Sequence, residues 1–159
     1  MAFERGIDET GPFLSEVLIG DGASKLLSPF GGLLVAATLF GRNFAHIHDN
    51  SEQNDPKNIE DGNFWRRHRE LDNTLSSTFM HLPEELKAFE GPQDLKSSFF
   101  HMSLHTSVIS LHKAAIITAM KHRLESSLIM RSVTRCIVAA DGINNTMKMI
   151  SHHDVSKVN

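Results

Sequence analysis

The chain has 159 residues, of which 40% are hydrophobic, and a formal net charge of −3. This length suits one domain with a sizeable core, and the acidic balance argues against a protein whose whole surface grips nucleic acid, since such domains are usually basic. The single cysteine, Cys136, excludes an internal disulfide and a multi-cysteine zinc site, which suits a reducing compartment.

Helical periodicity recurs along the chain and strand alternation does not, so we predict an all-α multi-helix bundle. The N-terminus is acidic where a secretory signal is basic, and a short helix is predicted near Pro12. A second helix begins at Ser28 and Pro29. Its apolar run is shorter than the roughly 20 residues that span a bilayer, which predicts no membrane contact. The predicted core stripe of this helix comprises Phe30, Leu33, Leu34, Ala37, Phe40, Phe44 and Ile47.

The remaining chain divides into a polar loop and three longer helices. The third helix starts near Phe64 and ends ahead of Pro83, since the residue before a proline disfavours helix. The fourth runs from about 95 to 122 and the fifth from about 126 to 151. Asp154 or Ser156 is expected to cap a further helix. The predicted organisation is N-terminal helices over 1–48, an acidic surface loop over 49–62, three long helices over 63–151 and the start of another helix over 152–159.

Three histidines of the fourth helix are the first candidates for chemistry. His101, His105 and His112 fall within about 40° of each other on a helix. His101 and His105 are four residues apart, which can place two imidazoles on one metal ion. His112 lies roughly 10 Å further along the axis, and no acidic residue occupies the same face. We therefore favour a role in helix–helix packing, with a histidine-based metal site as an alternative.

Two other segments carry candidate chemistry. His46, His48 and Asp49 resemble the start of a metallo-hydrolase motif, but Asn50 and Ser51 follow. A polar helix end is favoured, where histidines suit the negative end of the helix dipole. The segment 65–72 holds three arginines and His68 and could form a basic patch. The run is shorter than the clusters of 5–8 residues that indicate nucleic-acid binding, so a solvated, salt-bridged face is favoured.

No motif in the sequence supports an enzyme. There is no glycine-rich phosphate loop and no Gly-x-Ser-x-Gly elbow. Cys136 lies mid-helix among apolar residues, which predicts an inert core thiol. We therefore expect no catalytic residue and no cofactor in this chain.

The order of several segments resembles the middle regulatory region of fungal zinc binuclear cluster transcription factors. The resemblance covers nearly the whole chain, and it depends on the order and spacing of the segments rather than on one motif. The matching segments are SPFGGLLVAATLFGRNFAHIH, FWRRHRELDNTL, LPEELK, FHMSLHTSVISLHKAAI and RCIVAADGINNTMKMISHHD. The family-motif residues are Trp65, Leu82, Pro83, His105, His112, Ala139 and Ala140.

This resemblance implies an all-α nuclear region that modulates transcription without itself binding DNA. In the family, a separate six-cysteine cluster holds two zinc ions and reads DNA. One cysteine cannot form that cluster, so zinc and DNA binding are expected only from a domain that this chain lacks. The histidines would then be helix residues that fix packing.

The chain also looks like an incomplete portion of a larger helical domain, which leaves apolar surface open. We expect protein partners or self-association through exposed helix faces. A stand-alone helical interaction module is the alternative to the regulatory region. When fully covered, the two long helices should bury Leu104, Val108, Leu111, Ala115, Val133, Ile137, Ala140 and Met147.

Overall fold

The structure is a computed structural model that describes residues 29–49, 54–82, 86 and 94–156. In these ranges it contains four helices and no strand, which confirms the all-α multi-helix bundle. Helices α3 and α4 pack against each other, and α1 and α2 pack on α3. The helix predicted near Pro12 lies outside the described residues. The helices are α1 (Pro29–His48), α2 (Asn63–Met80), α3 (Asp94–His122) and α4 (Ser126–Ser156).

The turn between α3 and α4 is set by hydrogen bonds at the end of α3. The amide of Leu124 donates to the carbonyl of Ala119 (2.9 Å), and the amide of Arg123 donates to Met120 (3.2 Å). These two bonds form a Schellman motif, whose penultimate residue is left-handed. Arg123 occupies that position with φ 56°. The motif lets α4 fold back along α3 within three residues.

Helix α4 is longer than the sequence indicated. It continues to Ser156 rather than ending near 151. Asp154 and Ser156 therefore lie inside α4, and the expectation that one of them caps a further helix is corrected. Asp and Ser compete with helical hydrogen bonds and favour caps, which is why the pattern there resembled a helix start.

Helix α1 buries a different face from the one predicted. Leu34, Phe40 and Phe44 are each about half exposed or more, and the side chains of Phe30 and Leu33 lie outside the description. Both sides of α1 are apolar, so periodicity did not decide between them. The face with small residues packs inward because it allows close approach. A methyl group added at Gly32 would lie 3.0 Å from Leu86 Cδ1. The buried face comprises Gly32, Val35, Ala36, Leu39, Asn43 and His46.

The core lies between α1, α2 and α3, with Ala139 of α4 at its edge. Of the side chains predicted to be buried in α3, Leu104, Val108, Leu111 and Ala115 are buried. In α4, Ile137, Ala140 and Met147 are exposed and Val133 is half-buried. Among the described residues, no helix is both long and apolar enough to cross a membrane.

The polar loop ahead of α2 is attached to that helix. Trp65 Nε1 donates to the carbonyl of Pro56 (2.7 Å) and Arg69 Nη1 donates to that of Ile59 (2.8 Å). Gly62 is packed so closely that an added methyl group would lie 2.2 Å from the Asp55 carbonyl oxygen. Residues 54–62 therefore form a closely packed turn that is hydrogen-bonded to the start of α2 and positions it.

Candidate functional site

A polar cluster joins helices α2, α3 and α4. Asp72 of α2 accepts a hydrogen bond from Arg135 of α4, and its Oδ1 lies 3.3 Å from Nε2 of His112 in α3. Arg135 Nη2 also donates to Ser76 Oγ (3.0 Å). His112 is buried, while Asp72 and Arg135 are partly exposed. We call Asp72, Ser76, His112, Ser132 and Arg135 the polar cluster.

The carboxylate of Asp72 fixes the tautomer of His112. Nε2 of His112 lies within 3.3 Å of Asp72 Oδ1 and 3.4 Å of Arg135 Nε, and it cannot donate to one and accept from the other at once. A negative carboxylate favours a proton on Nε2, which donates to Asp72. Nδ1 then accepts from Ser132 Oγ, at 3.4 Å. This arrangement gives both ring nitrogens a partner.

The cluster stabilises the charged form of Asp72. Burial alone would raise the pKa of this carboxyl group. The hydrogen bonds from His112 and Arg135 outweigh burial and hold the pKa well below its usual range. Asp72 is therefore ionised at neutral pH and fixes α2 to both long helices.

Two further histidines extend the cluster into the core. The ring of His68 lies 5.0 Å from that of His112, and the ring of His46 lies 6.2 Å from that of His68, measured between centroids. Both rings also contact Phe64. Among the described residues, neither nitrogen of His46 has a hydrogen-bond partner, and Nδ1 of His68 has none.

Burial keeps these two histidines neutral. Burial, together with the charge of Arg67, lowers the pKa of His46 to about 4, although Asp49 opposes the change. Burial and the neighbouring His112 and His46 lower that of His68 to about 3. Because the pKa of His46 is lowered, its ring adds little positive charge at the end of α1. The end of α1 instead exposes His48, whose Nδ1 lies 2.9 Å from the Phe44 carbonyl oxygen.

Asp72, His112 and Ser132 stand in the chemical order of a hydrolase triad, but their geometry favours a structural role. The distance of 3.4 Å between Ser132 Oγ and His112 Nδ1 exceeds the usual reach of about 2.6–3.2 Å between nucleophile and base. Ser132 is only 4% exposed, so its hydroxyl is screened from any substrate. Arg135 also donates a hydrogen bond to the carboxylate of Asp72. The arrangement orients helices and holds one buried ring.

The other two candidate histidines of α3, His101 and His105, face neighbouring chain segments. His101 Nε2 lies 2.8 Å from the Leu86 carbonyl oxygen. The ring of His105 packs on Phe79, with centroids 4.7 Å apart, and meets Gly142 of α4. Burial and the nearby His101 lower the pKa of His105. In the described part of the chain, no group of three or more potential ligands is placed to hold a metal ion.

The remaining family-motif residues lie mostly in packed positions. Trp65, Leu82 and Ala139 are buried, whereas Ala140 is exposed. Pro83 lies outside the described residues. Cys136 is half-buried, and its Sγ lies 3.8 Å from the Ile109 carbonyl oxygen at the contact between α3 and α4. Burial raises the pKa of this thiol, which reduces its reactivity.

The three arginines at the start of α2 are exposed. Arg67 forms an ion pair with Asp49, as the predicted salt-bridged face requires. Arg66 and Arg69 instead donate to neutral oxygens of neighbouring residues. His68 is buried, so it is not part of that face.

The polar cluster was missed by sequence reasoning because its members are far apart in the chain. Asp72 lies 40 residues from His112, and 63 residues from Arg135. At the sequence level, Asp72 is one more charge beside an arginine run. Only the packing of three helices brings these groups together.

Comparisons with protein-family models, characterised proteins and solved structures found no match for this chain.

Proposed function

We propose that this chain is a regulatory helical region of a fungal transcription factor, which modulates DNA-templated transcription in the nucleus without itself binding DNA. The observation that carries the proposal is the ordered series of segments that resembles that family. Four residues of those segments, Trp65, Leu82, His112 and Ala139, are buried, as expected of positions that define a helical scaffold.

The charge distribution supports a role without direct DNA contact. The net charge is −3, and the arginines at the start of α2 already bond to neighbouring residues. A DNA-binding surface needs a basic patch free to replace counterions. DNA recognition is therefore assigned to a separate domain of the parent architecture.

The test joins a DNA titration with a tethered reporter assay. The pure chain should bind promoter fragments only weakly and with strong salt dependence. When placed between a heterologous zinc-cluster DNA-binding domain and an activation domain, it should change reporter output. A Trp65→Ala variant should lose this effect, and Arg66→Ala on the exposed face of α2 is the matched control. Sequence-dependent nanomolar DNA binding, or an unchanged reporter, contradicts the proposal.

A stand-alone helical interaction module is the second candidate, and the exposed apolar side chains favour it. Phe44 of α1 and Met130 and Ile137 of α4 are all more than half exposed. Exposed apolar patches on helical proteins mark contact sites for other proteins. This candidate gains support if the tethered chain leaves the reporter unchanged but recruits a second tagged copy of itself.

A further inference from the structure

Helices α3 and α4 carry two adjacent apolar stripes that the described chain leaves uncovered. On α4, Met130, Ile137 and Met147 are 66%, 57% and 52% exposed; on α3, Leu95 and Phe99 are 69% and 61% exposed. The core-facing side of α4 is a different one, formed by Ser132, Ala139 and Thr146.

The α4 stripe has the spacing of a coiled-coil seam. Its members alternate at intervals of three and four residues, which is the heptad pattern that places residues against another helix. Asn144 occupies one of the core positions of the heptad, where asparagine fixes register and partner number. The stripe consists of Met130, Val133, Ile137, Ala140, Asn144 and Met147.

The α3 stripe has the same spacing and lies beside the first. On one side of the α3–α4 contact, His112 meets Arg135 and faces α2 through Asp72. On the other side, Cys136 meets Ile109. At 100° per residue, both stripes lie on the side of the contact where Cys136 meets Ile109, and they face away from α2. The apolar part of the α3 stripe consists of Leu95, Phe99 and Met102, and the same spacing continues through Thr106 to the charged Lys113.

The charges at the edge of the α4 stripe complement themselves. Asp141 and Lys148 are exposed and, among the described residues, neither forms an ion pair. They are seven residues apart, so they lie on one side of the helix, roughly 10 Å apart. If two copies of α4 cross antiparallel about an axis near Asn144, each Asp141 meets Lys148 of the second copy. A parallel crossing would place the two Asp141 side chains on opposite sides of the contact, and neither would meet Lys148.

The area of this face is sufficient for a specific dimer. The overlap of the two α4 helices is centred on Asn144. It extends back to Val133 and equally far in the other direction, which gives a length of about 33 Å at 1.5 Å per residue. Two helices at the usual separation of about 8–10 Å present a width of roughly 20 Å. The footprint is then roughly 650 Å² on each copy. The two copies together therefore exceed the ~1,000 Å² in total that a biological interface requires.

We propose that a second copy of this chain docks on the exposed face of α3 and α4, antiparallel, about a two-fold axis near Asn144. The two helix pairs form a four-helix bundle. Asn144 hydrogen-bonds its own counterpart, since an amide both donates and accepts. The contact is isologous, which closes the assembly at two copies.

The first test measures the mass of the pure full chain by sedimentation over a range of concentrations. We expect a monomer–dimer equilibrium. Ile137→Glu places an unpaired charge in the interface and should weaken dimerisation by about 100-fold. Leu34→Glu is the matched control, because Leu34 is 56% exposed on α1 against 57% for Ile137. The control should dimerise like the wild type, and circular dichroism should show that both variants are folded.

The second test reverses the edge charges and reports on orientation. Asp141→Lys and Lys148→Asp should each weaken dimerisation by about tenfold, because each creates two like-charge contacts. The double variant restores opposite charges and should return to within about threefold of the wild type. A monomer at all concentrations overturns the proposal. So does a dimer that Leu34→Glu disrupts and Ile137→Glu does not, or a double variant no better than the single ones.

This inference does not depend on the transcriptional role. Sedimentation of pure protein reports the dimer, whereas the reporter and DNA titration report the regulatory function. Either can fail while the other holds.

Discussion

Gly142 of α4 lies directly against the imidazole of His105 in α3: a methyl group added at Gly142 would come within 2.3 Å of His105 Cε1 and 2.4 Å of Nε2. Real carbon atoms do not approach so closely, so the absence of a side chain at Gly142 allows the two long helices to meet here. The first prediction follows from this contact.

Gly142→Ala should lower the free energy of unfolding by about 1–2 kcal/mol. Overpacking costs about 1–3 kcal/mol, and the better helix propensity of alanine offsets up to ~1 kcal/mol of that loss. Gly41→Ala is the control, because an added methyl group there meets nothing within 4 Å, and it should stabilise the protein. Urea unfolding measures both. In a His105→Ala background the penalty at Gly142 should disappear, and its persistence would contradict the contact.

Asp72→Asn should destabilise the protein by about 1.5–3 kcal/mol at neutral pH, the range for hydrogen bonds to charged groups. Because the folded-state pKa of Asp72 lies below the usual 3.8, its contribution is fully present above that value. It declines as the pH falls through the lowered pKa. Chemical denaturation at several pH values should show the variant and wild type converging in acid. Asp49→Asn, whose ion-pair partner Arg67 is 47% exposed, should cost less than ~1 kcal/mol.

His46 and His68 should make the protein sensitive to mild acid. Their folded-state pKa values of about 4 and about 3 lie below the 6.5 of an unfolded histidine. The unfolded state therefore takes up two more protons as the pH falls from 6.5 towards 4. Stability is full above pH 6.5 and should decline by about 2.7 kcal/mol per pH unit once both unfolded histidines are protonated.

The variant His46→Leu isolates half of this effect. Leucine removes a buried ring with two unpartnered nitrogens, so stability at neutral pH should stay equal or rise by about 1 kcal/mol. The acid slope should fall by one proton, to roughly 1.4 kcal/mol per pH unit. Thermal melts of the variant and the wild type between pH 4 and 7.5 measure this dependence of stability on pH. An unchanged slope would mean that His46 is protonated in the folded protein.

Arg123→Gly should stabilise the protein by about 0.5–1 kcal/mol. Arg123 holds a left-handed conformation, with φ 56°, which costs a side chain about 1–2 kcal/mol. Glycine avoids that cost and loses part of the gain through its larger entropy in the unfolded chain. Denaturant midpoints of the variant and the wild type give the difference. Destabilisation would show that the arginine side chain makes a contact worth more than the backbone gain.

The chain should hold well under one zinc ion per molecule after treatment with a chelator and addition of zinc. Two of the candidate ligands, His101 and His105, lie beside Phe79 rather than beside further ligands. Elemental analysis after desalting measures the content. A full equivalent that is lost in His105→Ala would support the metal-site alternative.

Local sequence patterns were sufficient to predict the class of the fold and most of the helix limits. The 3.6-residue period and the Ser126 start predicted the beginning of α2, both ends of α3 and the beginning of α4 to within one residue, whereas α2 ends at Met80, three residues ahead of Pro83. These features are local, because helix formation and its termination depend on neighbouring residues. The deep burial of Leu104 and Leu111 followed from the same periodicity.

Which face of each helix is covered, and which polar groups meet, depends on how the helices pack against one another. Helix α1 is apolar on two sides, and the side that packs is the one with Gly32 and Ala36, where the helices can approach closely. Asn43 and His46 are buried there despite their polarity; Asn43 Nδ2 donates to the Ser107 carbonyl at 2.8 Å. Asp72, His112 and Arg135 carry no mutual spacing signal. Their contact depends on how three helices pack, which no local pattern encodes.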